Sequence, residues 1–209
     1  MPNPSAYIDS AVFQPGTGGV FYAPVGTKAP TLEDVSAWVT QDRTASIGDW
    51  TPIGYTSLGE LPGISSETDG GEKKGVWENP NFRVTPITTT DTINVSPVQW
   101  SPVPITHRFG KGVTIDKATG TARVPAVYTP VEVALMVIIL DGHNPLVLQY
   151  DRASTKPNGD LELDPDEYAA LPVSYTVLSV SGSPYSMSIL SYSLKDKTSG
   201  AGTDPGAHS

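Results

Sequence analysis

The longest continuous run of apolar side chains is VALMVIIL, at residues 133–140. It lies within the segment VEVALMVIIL, residues 131–140, whose one charged residue is Glu132. It is followed by the turn sequence DGHNP and by a second apolar stretch, LVLQYDR, at residues 146–152. β-branched side chains favour strands, whereas Gly, Asn and Pro favour tight reversals. The pattern therefore predicts two buried strands joined as a core hairpin.

Helical spacing occurs in shorter segments. Residues 31–39, TLEDVSAWV, combine it with Thr31 at the N-cap position and Asp34 three residues later, which predicts one short helix. Residues 101–110, SPVPITHRFG, are ambiguous because of their two prolines, and we expect a short helix there. Residues 163–171, LDPDEYAAL, carry an Asp-Pro pair typical of a helix start, which predicts one or two further helical turns.

The remaining β-branched and aromatic positions predict short strands separated by turns. Residues 11–14 and 20–24 flank PGTGG, which predicts a hairpin near the start of the chain. Residues 109–120 favour a hairpin over a phosphate loop, since they lack the G-x-x-x-x-G-K-[ST] register. Further strands are predicted at residues 50–57, 82–90, 92–100, 172–180 and 186–194, with a turn at Asp91 and another at SGSPY before the last strand.

Residues 64–77, ISSETDGGEKKGVW, form another predicted hairpin, with its turn at DGGE. Its predicted tip, residues 69–74, carries both charge signs around two glycines and few apolar groups to anchor it on its own domain. Two strands alone are only marginally stable in water, so we expect contact with a neighbouring subunit; a solvated, mobile loop is the alternative. The candidate interface residues are Glu67, Asp69, Glu72, Lys73, Lys74 and Trp77.

Composition supports a turn-rich β protein. The 209 residues include 20 Gly and 20 Pro, about a fifth of the chain, against roughly 12% in average proteins. We therefore expect a mainly β fold in a single domain. Residues 195–209 have almost nothing to bury, which predicts a disordered tail.

Cysteine is absent, which excludes disulfides and thiolate metal sites within this chain. The N-terminal sequence MPNPSAYIDSAVF lacks the basic and apolar regions of a signal peptide. The apolar run at residues 133–140 is far shorter than the roughly 20 residues that a membrane-spanning helix needs. We expect neither a signal peptide nor a membrane span.

The charge balance argues against a protein that grips nucleic acid. The chain has 22 acidic and 13 basic side chains, a formal net charge of −9. Tight binding to DNA depends on Lys and Arg that release counterions from phosphates. The acidity instead suits a surface that DNA passes without adhering to it.

Candidate catalytic or metal-binding chemistry is sparse. His107, His143 and His208 show none of the spacings of metal sites, and the Asp141–His143 pair is explained by its turn sequence. Residues 158–164 carry oxygen ligands at alternate positions, as in a calcium loop, but lack the Gly and Glu positions of an EF-hand. We therefore predict no catalytic, cofactor-binding or metal-binding residue and do not expect an enzyme.

Four segments together carry a family resemblance: APVGT at 23–27, APT at 29–31, WTPIGYTSLGELPGIS at 50–65 and VWENPNFRV at 76–84. In this order they resemble the major tail proteins, or tail tube proteins, of long-tailed, non-contractile phages of actinobacteria. The resemblance covers residues 19–190. It departs at SPVPITHRFG, where the family usually has a more regular helix.

The resemblance implies a β-sandwich or half-barrel with one to three short helices, formed by residues 1–194 with an extended N-terminal arm. It also implies rings of six copies stacked into a hollow tube whose lumen passes DNA during genome ejection. The implied partners are other copies of the chain, the tape measure protein, the tail terminator and baseplate or tail-tip proteins. The implied location is the virion tail, assembled in the host cytoplasm, with no membrane and no tight hold on DNA.

Two other functions compete with this interpretation. A β-sandwich module that binds carbohydrate or a host surface would need an exposed row of aromatic side chains, whereas the tryptophans at positions 38, 50, 77 and 100 are scattered among different predicted elements. A hydrolase on a β scaffold would need a convergent polar pocket. The residues favour a structural tube subunit over both.

Overall fold

The computed structural model describes residues 11–195 of the chain, so the predictions for the first ten residues and for residues 196–209 lie outside the described residues. Within that range the helices are α1, Leu32–Thr40, and α2, Pro102–Phe109, and a 3-10 turn spans Tyr192–Leu194. None of these helices is long and apolar enough to cross a bilayer. The strands are β1 Thr17–Ala23, β2 Thr51–Pro52, β3 Gly63–Asp69, β4 Lys73–Val76, β5 Asn79–Val84, β6 Thr88–Val95, β7 Thr114–Asp116, β8 Thr121–Arg123, β9 Glu132–Asp141, β10 Asn144–Pro157, β11 Val173–Val177 and β12 Met187–Ser191.

Eight of these strands form one antiparallel sheet. Seven of them follow the order β2-β1-β9-β10-β11-β6-β3, and β12 pairs with β10 beside this path. Two separate ribbons, β4–β5 and β7–β8, account for the other strands of the described region. The fold is therefore mainly β with short helices, as predicted, and it is consistent with a β-sandwich.

Strand β9 explains the long apolar run, because both of its faces are buried. Successive side chains of a strand point to opposite faces of the sheet. The odd-numbered residues of 133–137 face a cluster that includes Tyr150 and Tyr175. The even-numbered residues of 134–140 face a second cluster, which includes Trp38 of α1. β9 pairs with β10 along its length, which confirms the predicted core hairpin.

Helix α1 covers the second cluster and begins with the predicted capping box. Thr31 Oγ1 accepts a hydrogen bond from the Asp34 backbone N–H at 3.1 Å, and Asp34 Oδ2 accepts one from the Thr31 N–H at 3.1 Å. The bonds from the Thr31 side chain and backbone lower the pKa of Asp34. Trp38 packs edge-on against Phe21, with ring centroids 5.3 Å apart. The predicted helix is confirmed, and it lies over β1 and β9.

Helix α2 confirms the helix expected at residues 101–110. It starts at Pro102, where the missing N–H has no intrahelical partner to lose. It packs on the first cluster through His107, whose Nδ1 lies 2.9 Å from the Tyr175 hydroxyl oxygen. Burial lowers the pKa of His107 to about 4, so this side chain is neutral in the folded protein at neutral pH.

The hairpin predicted between residues 11–14 and 20–24 is wrong. Strand β1 pairs with β9 over all its seven residues, and residues 11–14 lie outside every strand. The glycines allow close backbone approach instead of forming a turn: a Cβ on Gly18 would lie 2.2 Å from the Ile138 carbonyl oxygen. The Gly-rich sequence therefore marks a contact between two strands that are distant in sequence.

The helix predicted at residues 163–171 is absent, and the segment contains a single turn. The Asp164 carboxylate accepts a hydrogen bond from the Asp166 N–H at 2.9 Å, which closes an Asx turn in place of a helix cap. Leu163 and Tyr168 are exposed. Leu171, at the end of the segment, is buried, but Leu163 and Tyr168 supply no buried helical face with it, and short helices depend on such burial.

Other strand predictions are corrected or confirmed as follows. β6 runs straight through Asp91, so the turn predicted there between residues 82–90 and 92–100 does not exist. Residues 50–57 contain just the two-residue strand β2. β11 and β12 both pair with β10 and not with each other. A hairpin does form near residues 109–120, but later than predicted: β7 and its turn lie within that range, and β8 follows at Thr121–Arg123.

Candidate assembly surface

A long two-stranded arm leaves the edge of the main sheet, and we call residues 63–95 the β-arm. Its base is the pairing of β3 with β6. Its outer part is the pairing of β4 with β5, and the chain reverses at Trp77 and Glu78. The β-arm is therefore one long hairpin with its turn far from the sheet.

The pairing predicted for residues 64–77, with a turn at DGGE, is wrong. The glycines there form a kink: Gly70 has a φ of 93°, and a Cβ on it would lie 2.0 Å from the Pro86 carbonyl oxygen. Across the kink the Thr85 N–H donates to the Glu72 carbonyl at 2.9 Å, so strand pairing resumes beyond it. The positive φ and the close approach both require glycine at this position. The glycines are therefore explained although the chain does not reverse here.

Outside the end of β6, where Ile93 and Val95 join the core, the β-arm buries almost nothing in its own chain. Every residue of β3, β4 and β5 is exposed, and Trp77 at the turn is 98% exposed. A two-stranded hairpin is marginally stable in water, and exposed apolar side chains that lie together mark interaction surfaces. The large apolar side chains exposed on the β-arm are Ile64, Val76, Trp77, Phe82, Val84 and Ile87.

The structure places all six predicted interface residues on the outgoing half of the β-arm: two in β3, one at the kink, two in β4 and one at the turn. In that order they are Glu67, Asp69, Glu72, Lys73, Lys74 and Trp77. They share one projecting element but are spread along it, and residues 69–74 are not its tip. Their contact with another copy stays a prediction.

The returning half of the β-arm adds residues that the sequence pattern did not single out. Arg83 lies opposite Lys74, and like charges in opposite positions destabilise a pair of strands. The Arg83 guanidinium lies 5.4 Å from the Phe82 ring centroid. Within residues 11–195 both ion pairs lie elsewhere, so no charged side chain of the β-arm takes part in an ion pair there. The available signal was WENP at residues 77–80, because Asn and Pro favour turns.

A groove at the base of the β-arm lies between β1, β9 and the loop of residues 54–62, and we call it the edge groove. Its volume is about 340 Å³, and its lining is mainly apolar. Gly18 contributes bare backbone on one side, and Leu58 and Leu61 line it from the loop. Leu58 is 81% exposed and the adjacent Tyr55 is 80% exposed. The edge groove is thus an open apolar surface.

Arg43 carries the charge of the edge groove, since it is the one Lys, Arg, Asp or Glu among the described residues that line it. It follows α1 in a left-handed backbone conformation, with a φ of 63°. Its N–H donates to the Trp38 carbonyl at 2.9 Å, and its guanidinium lies 5.6 Å from the Trp38 ring centroid. The helix end therefore holds an exposed cation beside an apolar groove.

Similarity to known proteins extends over nearly the whole chain. A family model described as phage tail tube protein matches residues 5–201. This chain belongs to the phage tail tube protein family. It is 32% identical over 185 residues to the major tail protein Gp23 of Mycobacterium phage D29, which covers 81% of this chain and 86% of that protein. Gp23 of Mycobacterium phage L5 is 32% identical over 180 residues, with the same two coverages.

The family gives the tail tube protein a structural role in the phage tail, which confirms the predicted resemblance. A tube subunit assembles with further copies of itself. The β-arm and the edge groove both carry large exposed apolar side chains, among them Trp77 at 98% and Leu58 at 81% exposure, which makes them candidates for contacts between subunits.

The tryptophans of the tail tube protein do not form a carbohydrate platform in the described residues. Trp38 and Trp50 are buried. The Trp100 indole N–H donates to the Ala169 carbonyl at 2.9 Å, which holds it against a loop. Trp77 lies on the β-arm, a different element. No row of exposed tryptophans is present between residues 11 and 195.

Arg108 organises the acidic loop for which calcium was considered, residues 158–164. Its guanidinium donates to the carbonyl oxygens of Asn158, Gly159 and Pro172 at 3.2, 2.8 and 2.9 Å. In the part of the chain that the structure describes, no three His, Cys, Asp or Glu side chains converge to hold a metal ion. The cationic group in contact with this loop is the Arg108 guanidinium.

The two histidines in the described range have separate surroundings. His107 is a buried residue of α2, whereas His143 is exposed in the turn between β9 and β10. The Asp141 carboxylate accepts a hydrogen bond from the Gln14 N–H at 3.1 Å. Asp141 thus ties the segment before β1 to the end of β9, and His208 lies outside the described residues.

Proposed function

We propose that six copies of this tail tube protein form a ring and that rings stack into a hollow tube through which DNA passes during genome ejection. The observation that carries the proposal is the β-arm, whose exposed strands find no burial in their own copy. β3 is also the terminal strand of the main sheet. Pairing with neighbouring copies removes such an open edge, and cyclic symmetry closes a ring. The number six rests on the resemblance to the family.

The tube passes DNA without retaining it, because a net charge of −9 leaves no large counterion-release contribution to binding. The tape measure protein occupies the lumen during assembly, the tail terminator and baseplate or tail-tip proteins close the ends, and assembly takes place in the host cytoplasm. These partners and the absence of catalysis rest on the family resemblance. A salt-sensitive gel shift of DNA at low concentrations of this protein would show tight binding and contradict the proposal that the tube does not retain DNA.

Negative-stain microscopy of the purified full chain tests the assembly. We expect rings or tubes, whereas a protein that stays monomeric by light scattering at high concentration, with and without tail partners, would contradict the proposal. The β-arm is tested by replacing residues 73–84 with Asn-Gly, which suits a two-residue hairpin turn. The flanking Glu72 and Thr85 already pair, since the Thr85 N–H donates to the Glu72 carbonyl at 2.9 Å.

The shortened chain should unfold at nearly the same temperature as the unassembled wild type, because the removed residues are exposed. It should form no tubes. The matched control replaces residues 117–120, the exposed turn of the β7–β8 ribbon, with Asn-Gly and should still assemble. Normal tubes from the chain without residues 73–84 would show that the β-arm is not an assembly element.

A further inference from the structure

The turn of the β-arm and the edge groove are complementary in shape and charge. Trp77 is 98% exposed, and Glu78 beside it is also exposed. The edge groove is apolar and has Arg43 on its lining. We propose that Trp77 of one copy inserts into the edge groove of a neighbouring copy and that Glu78 pairs there with Arg43. This inference rests on the proposed tube assembly and names its contact.

The edge groove has the size that one large side chain needs. Its volume of 340 Å³ lies at the lower end of the range of ligand pockets, about 300–1,000 Å³. Gly18 is among its lining residues and presents bare backbone there. Leu58 and Leu61 provide apolar contact for an indole ring. Buried tryptophans in such pockets are frequent anchors of protein interfaces.

Charge selects the orientation of the contact. Arg43 is the one Lys, Arg, Asp or Glu that lines the groove in the described chain, and Glu78 is the residue next to Trp77 at the turn. Neither takes part in the ion pairs of residues 11–195. An indole and a carboxylate on adjacent residues thus match a groove that offers apolar walls and one guanidinium. Opposite charges across an interface favour one register over others.

The two surfaces cannot meet within one copy. The groove-lining residue Pro62 is adjacent to Gly63, where the β-arm begins, whereas Trp77 lies at its far end. Residues 63–76, at about 3.3 Å each, carry the turn up to about 45 Å away. A contact between the turn of one copy and the groove of the next is heterologous, so it repeats from copy to copy.

Cysteine pairing tests the contact directly, because the chain has no cysteine of its own. A full-length Glu78→Cys, Leu58→Cys double variant should give a ladder of disulfide-linked oligomers on mild oxidation. The matched control pairs Glu78→Cys with Lys117→Cys, an exposed residue in the β7–β8 turn, and should give no ladder. Trp77→Ala should raise the concentration needed for assembly by about thirtyfold or more, as expected for an anchor residue.

Charge exchange provides a second measurement. Glu78→Arg and Arg43→Glu should each weaken assembly, and the double variant should restore it. A ladder together with tubes supports both proposals. Tubes without a ladder and without rescue would overturn the proposed contact and leave the tube function standing. A ladder without tubes would support the contact and overturn the tube function. Absence of both overturns both.

A contact within the same chain is the alternative outcome of this test. A Ser10→Cys, Leu58→Cys variant addresses this alternative. A monomeric disulfide product that forms instead of the ladder would assign the groove to its own chain and overturn the contact.

Discussion

Protonation of a buried histidine should control the acid stability of this tail tube protein. His107 lies on the buried face of α2, and its Nδ1 is 2.9 Å from the Tyr175 hydroxyl oxygen. The Tyr22 ring packs against its edge at 5.2 Å between centroids. The buried charged group nearest in sequence is Arg108, a cation that would oppose a second positive charge. The perturbation is His107→Leu, which removes the titrating ring and keeps an apolar side chain.

The magnitude follows from the two pKa values of the imidazole. In the unfolded chain His107 takes up a proton near pH 6.5, whereas burial lowers its pKa in the folded protein to about 4. Between these values the unfolded state binds one more proton, so the free energy of unfolding falls as the pH falls. At about 1.4 kcal/mol per pH unit, the loss from pH 6.5 to pH 4 is about 3 kcal/mol.

The variant loses stability for a different reason, which does not depend on pH in this range. Leu leaves the buried Tyr175 hydroxyl without its partner, at a cost of about 1–3 kcal/mol. The free energy of unfolding of the wild type minus that of His107→Leu should therefore fall by about 3 kcal/mol from pH 7 to pH 4, which brings it to about zero or reverses its sign. Carboxylates titrate in both proteins and cancel in this difference.

Urea denaturation at pH 7, 6, 5 and 4 measures this difference, at concentrations where the chain is unassembled, because assembly itself stabilises the folded state. His143→Gln removes an exposed histidine and serves as the control, whose pH dependence should parallel the wild type. If the deficit of His107→Leu is the same at pH 7 and pH 4, proton uptake by His107 does not limit acid stability.

Three further predictions concern stability and are checked by thermal or urea denaturation. Thr31→Ala should cost about 1 kcal/mol, since it removes the cap of α1, and an unchanged midpoint would contradict this. Arg108→Met should lower the free energy of unfolding by more than about 2 kcal/mol, because three carbonyl oxygens lose their donor. It should also make residues 158–172 susceptible to limited proteolysis, and continued resistance to the protease would refute this prediction. Gly18→Ala should destabilise the β1–β9 contact by at least about 1 kcal/mol, as its Cβ would overlap the Ile138 carbonyl, and a neutral effect would show that the strands separate easily.

The elements that were predicted correctly are those whose causes lie close together in the sequence. The capping box of α1 is set by Thr31 and Asp34, three residues apart. The core hairpin of β9 and β10 needs a short turn, and β9 is apolar on both faces because both are covered. The helix predicted at residues 163–171 does not form. Its capping signal at Asp164 is local, but Leu163 and Tyr168 are exposed and provide no buried helical face. A local signal thus fixes an element only when packing agrees with it.

The assembly surface was harder to predict because its pairing is not local. DGGE at residues 69–72 has the composition of a hairpin turn, yet β3 pairs with β6, whose first residue Thr88 follows β3 by many positions. The glycines serve the kink, where Gly70 approaches Pro86. The edge groove combines β1, β9 and the loop 54–62, three segments far apart in sequence. Its lining was therefore invisible in any one segment.

The β-arm also lacks the pattern from which burial is normally inferred. A strand that packs in its own domain shows alternation, because one face is selected for contact. Every residue of β3, β4 and β5 is exposed in the isolated chain, so the apolar side chains at Trp77 and Phe82 have no face of their own chain to match. A pattern that depends on a second copy is divided between the turn of one molecule and the groove of another. Recognising it requires both surfaces, which is why the structure, and not the periodicity of the sequence, brings Trp77 and Arg43 into one hypothesis.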